Sequence, residues 1–394
     1  MNKTIRVVII DNGLNKEIYY DLTRRYIKAY KIKDGVCILD DQVTYDNRLN
    51  HGTVCASILA HHASNAEIIS ISIGDHGKLP VPNLESALIW CMHHHIDVIS
   101  MSIGVTSHLE LKQLFSIFKE LEQMGIIVVA AASNDNRMTY PAALPYVVGV
   151  RYVEGSVKSM LINKNPFDGI NIEASFPYTD LLKKLREKYQ FDYPITNSLV
   201  TPYVAAEITN FIVKENRKKT YSNFIDDFGR FNNANFEQCC NYILPLENKI
   251  VKLQNISVPL IGLIYDEDQF EKMSQLSILL QGTFCRNGYN CILLSTSIGT
   301  NLEDNIFQLS DNKMISDLLH YFYISVSDII LLHFPRRLLL YYNGKELFDL
   351  IIKFELHEGK YSEDNTLIIP NILNDEQGQA EFLYEKIVEI YSEN

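Results

Sequence analysis

The feature that most constrains this chain is an alternation, between residues 5 and 215, of short apolar runs with segments of helical spacing. The runs are rich in β-branched residues and lie at residues 6–11, 66–73, 98–103, 126–132 and 146–153. The segments between them, such as residues 84–94 and 109–123, repeat their apolar residues every three or four positions. Strands that alternate with helices predict a parallel β-sheet with helices on both faces.

A second α/β pattern occupies the last third of the chain. Predicted strands lie at residues 258–265, 289–296, 328–333, 347–354 and 366–369, and predicted helices at 269–286, 317–322 and 380–391. Before this pattern, a short basic run and an Asn-rich stretch are typical of a solvated helix and linker. The 394 residues therefore predict an α/β domain over 1–215, a helical linker over 216–256 and a smaller α/β domain over 257–394.

The charge balance and the cysteines argue against several classes of protein. The formal net charge of −12 disfavours a partner that is bound through its phosphate backbone. The 7 cysteines are scattered without a C-x-x-C pair, so they predict neither a disulfide framework nor a zinc site. No apolar run reaches the ~18 residues that span a bilayer. We therefore expect no nucleic acid partner, no membrane association, no metal and no cofactor.

The first residues bear on location. The first predicted strand follows Met1 almost at once, so neither a signal-peptide core nor a pro-segment precedes it in this sequence. We therefore expect a cytoplasmic protein with reduced thiols.

Two polar residues stand at the ends of predicted elements in the first domain. Asp11 closes the first strand, where a parallel sheet presents functional side chains, although an Asp near a Gly is also typical of a turn. His51 precedes Gly52 and an apolar run of small residues. Its ring is expected either to project from the start of a helix into a cleft or to cap that helix.

Two more polar residues occupy similar positions later in the chain. Asn134 follows the strand predicted at 126–132, and its amide either stabilises an oxyanion or forms a turn. Ser198 stands just before a predicted helix that has Pro202 in its first turns. It is either a nucleophile at the positive end of the helix or an N-cap.

The order of these four residues is more informative than any one of them. A serine becomes a nucleophile when a base takes its proton, and that base needs a third group to orient it. The spacings of 40, 83 and 64 residues (51 − 11, 134 − 51 and 198 − 134) fit one domain. Residues ~5–215 thereby resemble the subtilisin-like serine peptidases (subtilases), whose motifs read Asp-[Ser/Thr]-Gly, His-Gly-Thr, Ala-Ala-Gly-Asn and Gly-Thr-Ser-x-Ala-x-Pro.

This resemblance implies a role for each matching residue. Ser198 attacks the scissile carbonyl, His51 takes and returns its proton, and Asp11 orients the imidazole. Asn134 and the backbone N–H of Ser198 form the oxyanion hole. The resemblance also implies two walls of a substrate cleft, one formed by Ser102, Ile103 and Gly104 and the other by Ala131, Ala132 and Ser133.

The chain departs from the family pattern around the nucleophile. The family's Gly-Thr before the serine is Thr196-Asn197, and a Cβ at position 196 is expected to strain the turn. Ser133 replaces a glycine and is expected to narrow the pocket. Cys55 stands where some family members hold a buried thiol near the histidine, and we interpret it as a packing residue. These departures motivate an alternative, a catalytically impaired subtilisin-like scaffold that binds peptides.

The C-terminal domain faintly resembles the opening of a P-loop nucleotide-binding domain. Its first strand and helix have the right order, but the loop between them is Asp266-Glu267-Asp268, which has no glycines to hold phosphates. We therefore expect a degenerate, Rossmann-like accessory domain.

These observations together predict a serine endopeptidase. A cytoplasmic protease without a pro-segment is expected to have a narrow substrate range. Removal of a leader from a ribosomally made precursor peptide fits that expectation. The partner is then a peptide or protein substrate, which the C-terminal domain would help to recognise.

Overall fold

A computed structural model describes the chain in two compact units. The described residues are 4–41, 49–74, 80–135, 137–154, 160–164, 166, 168–176, 179–192, 194–215, 221–232, 235–237, 258–309, 327–337, 348–355, 361–362, 366–370 and 375–392. The first unit comprises residues 1–106 and 110–240, and the second comprises 107–109 and 241–394.

The first unit is built on a ten-stranded sheet. Its strands are β1 (Ile5–Asp11), β2 (Lys28–Lys33), β3 (Val36–Leu39), β4 (Ala66–Ser72), β5 (Val98–Met101), β6 (Ile127–Ala131), β7 (Val148–Tyr152), β8 (Met160–Asn163), β9 (Ile172–Ala174) and β10 (Asn235–Glu237). Their order is β10-β8-β9-β7-β6-β5-β1-β4-β2-β3. Neighbouring strands are parallel except in the pairs β2/β3 and β8/β9. The predicted parallel α/β sheet is thus confirmed.

Helices lie between the strands along the chain. They are α1 (Lys16–Thr23), α2 (His51–His62), α3 (Val81–His93), α4 (His108–Lys112), α5 (Phe115–Gln123), α6 (Asp180–Tyr189), α7 (Asn197–Glu215) and α8 (Tyr221–Phe231). Alternate residues of β1, Val7 and Ile9, belong to the core that α2 and α7 cover. Val8 and Ile10 are equally buried and point to the opposite face, because successive strand side chains alternate. Helices therefore cover both faces of the sheet.

Helices α2 and α7 pack against each other and against the central strands. Most of their side chains are buried, which agrees with their runs of alanine and β-branched residues. At the start of α2, a Cβ on Gly52 would lie 2.2 Å from the backbone oxygen of Gly13. A glycine is therefore required where α2 meets the loop that follows β1.

The first unit extends beyond the predicted boundary at residue 215. Phe224 and Phe228 of α8 lie in the same core as α2 and α7, and β10 pairs with β8. Within the predicted linker 216–256, the residues described are 221–232 and 235–237, and all of them belong to this unit. The remainder of the linker lies outside the described residues.

The second unit has its own sheet of seven strands. These are β11 (Leu260–Tyr265), β12 (Cys291–Ser295), β13 (Ile306–Gln308), β14 (Ile329–Pro335), β15 (Leu350–Glu355), β16 (Tyr361–Ser362) and β17 (Thr366–Pro370), in the order β13-β12-β14-β11-β15-β17-β16. Neighbours are parallel except β16 and β17. Helices α9 (Phe270–Arg286) and α10 (Glu376–Ser392) pack together on the sheet, which confirms a second α/β domain. The helix predicted at 317–322 lies outside the described residues.

Among all the described helices, none is both long enough and apolar enough to cross a membrane.

Candidate active site

The predicted site residues meet at the carboxyl ends of the central parallel strands. Asp11 is the last residue of β1, and Ser102 and Asn134 lie in the loops that follow β5 and β6. His51 is the first residue of α2, and Ser198 is the second residue of α7. Because β1, β5 and β6 are neighbours in the sheet, their loops open on the same cleft.

Asp11, His51 and Ser198 form one hydrogen-bonded chain. Nδ1 of His51 lies 2.9 Å from Oδ2 of Asp11 and 3.1 Å from Oδ1, and Nε2 lies 3.0 Å from Oγ of Ser198. Since a carboxylate only accepts, Nδ1–H donates to Asp11, and Nε2 is left to accept the hydroxyl proton of Ser198. The arrangement therefore pairs a hydroxyl with a base that a buried acid orients.

Backbone and side-chain contacts fix the acid and the base. The backbone N–H of Asn12 donates to Oδ1 of Asp11 over 2.8 Å. The Asn12 side chain accepts from the N–H of Gly52 over 3.0 Å, which ties the end of β1 to the start of α2. The side chain of Asn50 accepts from the N–H of Thr53 and caps α2. These contacts set the position of the His51 ring relative to Asp11.

The pKa of His51 is raised above its ordinary value of 6.5. A charged thiol at Cys55 raises it most, burial of the ring lowers it, and the hydrogen bond to Asp11 raises it again. Burial raises the pKa of Cys55 itself. The thiol is therefore neutral near pH 7, where Asp11 is the neighbour that favours the imidazolium.

The backbone of Ser198 has an unusual partner. Pro202 lies inside α7, so the carbonyl of Ser198, four residues earlier, lacks its normal helical donor. The hydroxyl of Ser102 donates to this carbonyl over 2.7 Å, and the buried thiol of Cys55 lies 3.6 Å from it. Ser102, predicted as a cleft residue, thus also supports the backbone of the candidate nucleophile.

Thr196 contacts the candidate nucleophile directly. Its Oγ1 lies 2.9 Å from Oγ of Ser198. The prediction of backbone strain at Thr196 is wrong, since its backbone does not enter the left-handed region. The residue that replaces the family's glycine therefore adds a hydrogen bond to the Ser198 hydroxyl.

Asn197 orients Asn134. The backbone N–H of Asn197 donates to Oδ1 of Asn134 over 3.0 Å, which leaves the amide N–H₂ of Asn134 as the end available to the cleft. The buried side chain of Asn197 donates to the carbonyls of Ala132 and Ser133 and accepts from the N–H of Tyr152. The N–H of Ser198 lies in the first turn of α7, where helix N–H groups lack partners within the helix. These two donors are suited to a developing oxyanion.

Two cavities adjoin Ser198 and Asn134. The polar cavity has a volume of about 410 Å³ and is lined by all six predicted cleft residues, namely Ser102, Ile103, Gly104, Ala131, Ala132 and Ser133, together with Glu110 and Arg137. The apolar cavity has a volume of about 400 Å³ and includes Leu49, Val54, Phe191, Pro194 and Leu199 in its lining. A peptide that crosses Ser198 would place side chains in both cavities.

Asp11, His51 and Cys55 are also a potential metal-ligand set. One ligand atom from each lies within 4.8 Å of the others. Both ring nitrogens of His51 already face Asp11 and Ser198, so a metal would displace these hydrogen bonds. The arrangement therefore fits proton transfer better than metal binding.

Sequence reasoning missed three contributions to this site. It did not identify the charged lining residues Glu110 and Arg137, because no motif points to them. It did not anticipate the three backbone contacts of the Asn197 side chain. The support that Ser102 gives to Ser198 had a signal in the sequence, since a proline four residues after Ser198 leaves its carbonyl without a helical donor.

Comparison with known proteins places the chain among peptidases. Residues 2–238 match the model of the subtilase family, and this match covers more than half of the chain. No curated protein matches the sequence.

Solved structures similar to this chain include three proteases. A lanthipeptide protease shares 17% identity with a TM-score of 0.43, and the similarity covers 56% of this chain and 79% of that chain. The epidermin leader peptide processing serine protease (EpiP) from Staphylococcus aureus shares 17% identity with a TM-score of 0.40, and the similarity covers 56% of this chain and 68% of that chain. The nisin leader peptidase NisP from Lactococcus lactis shares 16% identity with a TM-score of 0.39, and the similarity covers 59% of this chain and 85% of that chain. The family match is the finding that identifies the protein: the chain belongs to the subtilase family of serine endopeptidases.

Proposed function

We propose that this chain hydrolyses peptide bonds by nucleophilic attack of Ser198. The observation that carries the proposal is the unbroken chain of hydrogen bonds from Asp11 through His51 to Ser198, at the point where the two cavities meet. The hydroxyl proton passes to Nε2 of His51 as Oγ of Ser198 bonds to the substrate carbonyl carbon. Asp11 stabilises the imidazolium that forms.

The oxyanion and the leaving group need further partners. The amide of Asn134 and the N–H of Ser198 donate to the developing oxyanion, and each such donor is worth ~3 kcal/mol of barrier. The imidazolium of His51 then protonates the leaving amine, which departs with the C-terminal fragment. Water, activated by the same histidine, attacks the acyl-enzyme, releases the N-terminal fragment and restores Ser198.

Fluorophosphonate labelling of the purified full chain tests this mechanism. We expect one equivalent of label on Ser198, none in Ser198→Ala, and a much slower reaction in His51→Ala, because the base is lost. Asn134→Ala keeps the nucleophile and the base but removes one oxyanion donor, so peptide hydrolysis should fall by ~10²–10³-fold. A folded wild-type chain that takes no label would contradict the proposal and favour the peptide-binding scaffold.

We further propose that the substrate range is narrow and that the reaction matures a ribosomally made peptide by removing its leader. The second unit supports this proposal, because residues 241–394 form most of a compact α/β unit beyond the family match at residues 2–238. A candidate precursor peptide, incubated with the full chain and followed by mass spectrometry, should be cut at one bond, whereas unrelated proteins such as casein should stay intact. Cutting of casein at many sites would contradict narrow specificity. The cytoplasmic location stays a prediction, which cell fractionation tests.

A further inference from the structure

The polar cavity has a charge pattern that the catalytic mechanism does not use. Two charged side chains line it, Glu110 and Arg137, and the other lining residues are small or polar except for Ile103 and Val105. Glu110 lies in the first turn of the short helix α4, after the cleft wall that begins at Ser102. The cavity also borders Ser198 and Asn134, so a side chain that enters it belongs to the residue beside the bond that is cut.

The positive charge in this cavity is already compensated. Nε of Arg137 donates to Oδ2 of Asp135 over 2.5 Å, and a second guanidinium nitrogen contacts the same oxygen. The hydroxyl of Ser133 donates to the other carboxylate oxygen. The hydrogen bond from Arg137 lowers the pKa of Asp135, which keeps this carboxylate charged. Arg137 and Asp135 therefore form a neutral pair that Ser133 holds at the rim of the cavity.

Glu110 is not compensated in this way. Its side chain is exposed, and among the residues that the structure describes it makes no ion pair with a lysine, an arginine or a histidine. The three charges at the cavity, Glu110, Asp135 and Arg137, sum to −1. An entering ammonium or guanidinium would gain a partner without displacing one. An entering carboxylate would face Glu110 and would compete with Asp135 for Arg137.

From this arrangement we propose that Glu110 makes the polar cavity a subsite for a lysine or arginine side chain at P1, the residue whose carbonyl Ser198 attacks. The inference rests on the proposed function, because it assigns the charge of the side chain that the same cleft accepts. Hydrogen bonds to a charged group are stronger than neutral ones, so the ion pair should favour a basic P1 residue over an apolar one by about tenfold.

Covalent probes that differ only at P1 separate this inference from the proposed function. A fluorophosphonate without a P1 side chain reports on the Ser198 nucleophile alone. Two peptidyl diphenyl phosphonates, one with a lysine-like P1 side chain and one with a leucine-like side chain, report on the cavity. In the wild-type chain we expect the second-order labelling rate of the lysine-like probe to exceed that of the leucine-like probe by about tenfold.

Three variants complete the test. Glu110→Gln should remove most of the preference, because the lysine-like probe slows about tenfold relative to the leucine-like probe. Glu110→Lys should reverse the charge preference, so that a third phosphonate with a glutamate-like P1 side chain reacts faster than the lysine-like probe. Glu120→Gln removes one exposed carboxylate from α5, outside the cavity lining, and should leave all rates unchanged.

Each result distinguishes the two proposals. Absence of fluorophosphonate labelling would refute the proposed function, and with it this inference. Three results would overturn the inference alone, provided that the fluorophosphonate labels Ser198. They are equal rates for the two P1 probes, no reaction of the lysine-like probe, and a preference that persists in Glu110→Gln.

Discussion

The hydroxyl of Ser102 donates a 2.7 Å hydrogen bond to the backbone oxygen of Ser198. In an uninterrupted helix this oxygen would accept from the backbone N–H four residues later, but Pro202 has none. One wall of the cleft therefore supplies the donor that the helix cannot supply. The proline and the serine, 100 positions apart (202 − 102), act on the same carbonyl.

Ser102→Ala should lower the free energy of unfolding of the first unit by ~1–2 kcal/mol, because the partly buried carbonyl of Ser198 loses its hydroxyl donor. In a Pro202→Ala background the newly introduced backbone N–H can donate to this carbonyl, so the same substitution should cost about 1 kcal/mol less. Denaturant unfolding followed through Trp90, the one tryptophan of the chain and a residue of the first unit, measures this double-mutant cycle. Equal costs in the two backgrounds would show that Pro202 does not create the need for Ser102.

Thr196 is expected to position the nucleophile through its hydroxyl. The 2.9 Å contact between Oγ1 of Thr196 and Oγ of Ser198 restrains the serine side chain while His51 accepts the serine proton. Thr196→Val keeps the shape but removes the hydrogen bond, so fluorophosphonate labelling should slow by ~5–10-fold. Thr196→Ser keeps the hydroxyl and should retain the wild-type rate and pH profile. If the valine and serine variants react alike, the hydroxyl has no positioning role.

The pH dependence of labelling should report the pKa of His51. The ring must be neutral to accept a proton, so the rate rises with pH through this pKa. Asp11→Asn should move the midpoint down, since the imidazolium loses its carboxylate partner, and should lower the maximal rate by up to ~10⁴-fold. A midpoint that Asp11→Asn leaves unchanged would contradict the inferred role of Asp11 in stabilising the imidazolium.

Cys55→Ala serves as the matched control for this profile. Burial raises the pKa of Cys55, so its thiol carries no charge across the rising limb and its removal should leave the midpoint in place. A lower midpoint in Cys55→Ala would instead show that a thiolate, and not Asp11 alone, holds the proton on His51.

The apolar periodicity predicted the central part of the first unit well. The predicted strand at 66–73 is observed as Ala66–Ser72, and that at 126–132 as Ile127–Ala131. Strands β2 and β3 were not predicted, because their residues are only partly buried and carry a weaker apolar signal. The domain boundary was placed too early, since α8 belongs to the core through long-range packing that local periodicity does not reveal.

The site was predictable where a motif marks the side chain. Asp11, His51 and Ser198 were identified from their order along the chain and from the motifs around them, and the structure brings them within hydrogen-bonding distance. The effect of Thr196 was not predictable, because the sequence shows its Cβ but not the direction of its hydroxyl. Glu110 was also missed, since its place beside the cavity depends on how the loop after β5 folds back.

His333 gives the second unit a pH-dependent stability. Its ring is fully buried, stacks on Tyr265 with 4.4 Å between centroids, and lies 2.8 Å from Oγ of Ser295 through Nδ1. Oγ of Ser295 accepts two backbone N–H groups, so its proton is available to donate to Nδ1 of a neutral ring. Burial lowers the pKa of His333 from 6.5 to about 4.

The pKa of His333 is lower in the folded chain than in the unfolded chain, so the unfolded chain binds more protons between pH 6.5 and 4. The contribution of His333 to stability is therefore fully present above pH 6.5 and is lost as the pH falls through this range. The expected loss is about 3 kcal/mol. Hydrogen exchange of peptides from α9, which packs on the same sheet, measures this loss of stability. Trp90 fluorescence does not serve here, because Trp90 belongs to the first unit. His333→Gln removes the titrating group, so the free energy of opening of α9 should become nearly independent of pH over this range. An equally steep decline in the variant would place the acid sensitivity in other residues.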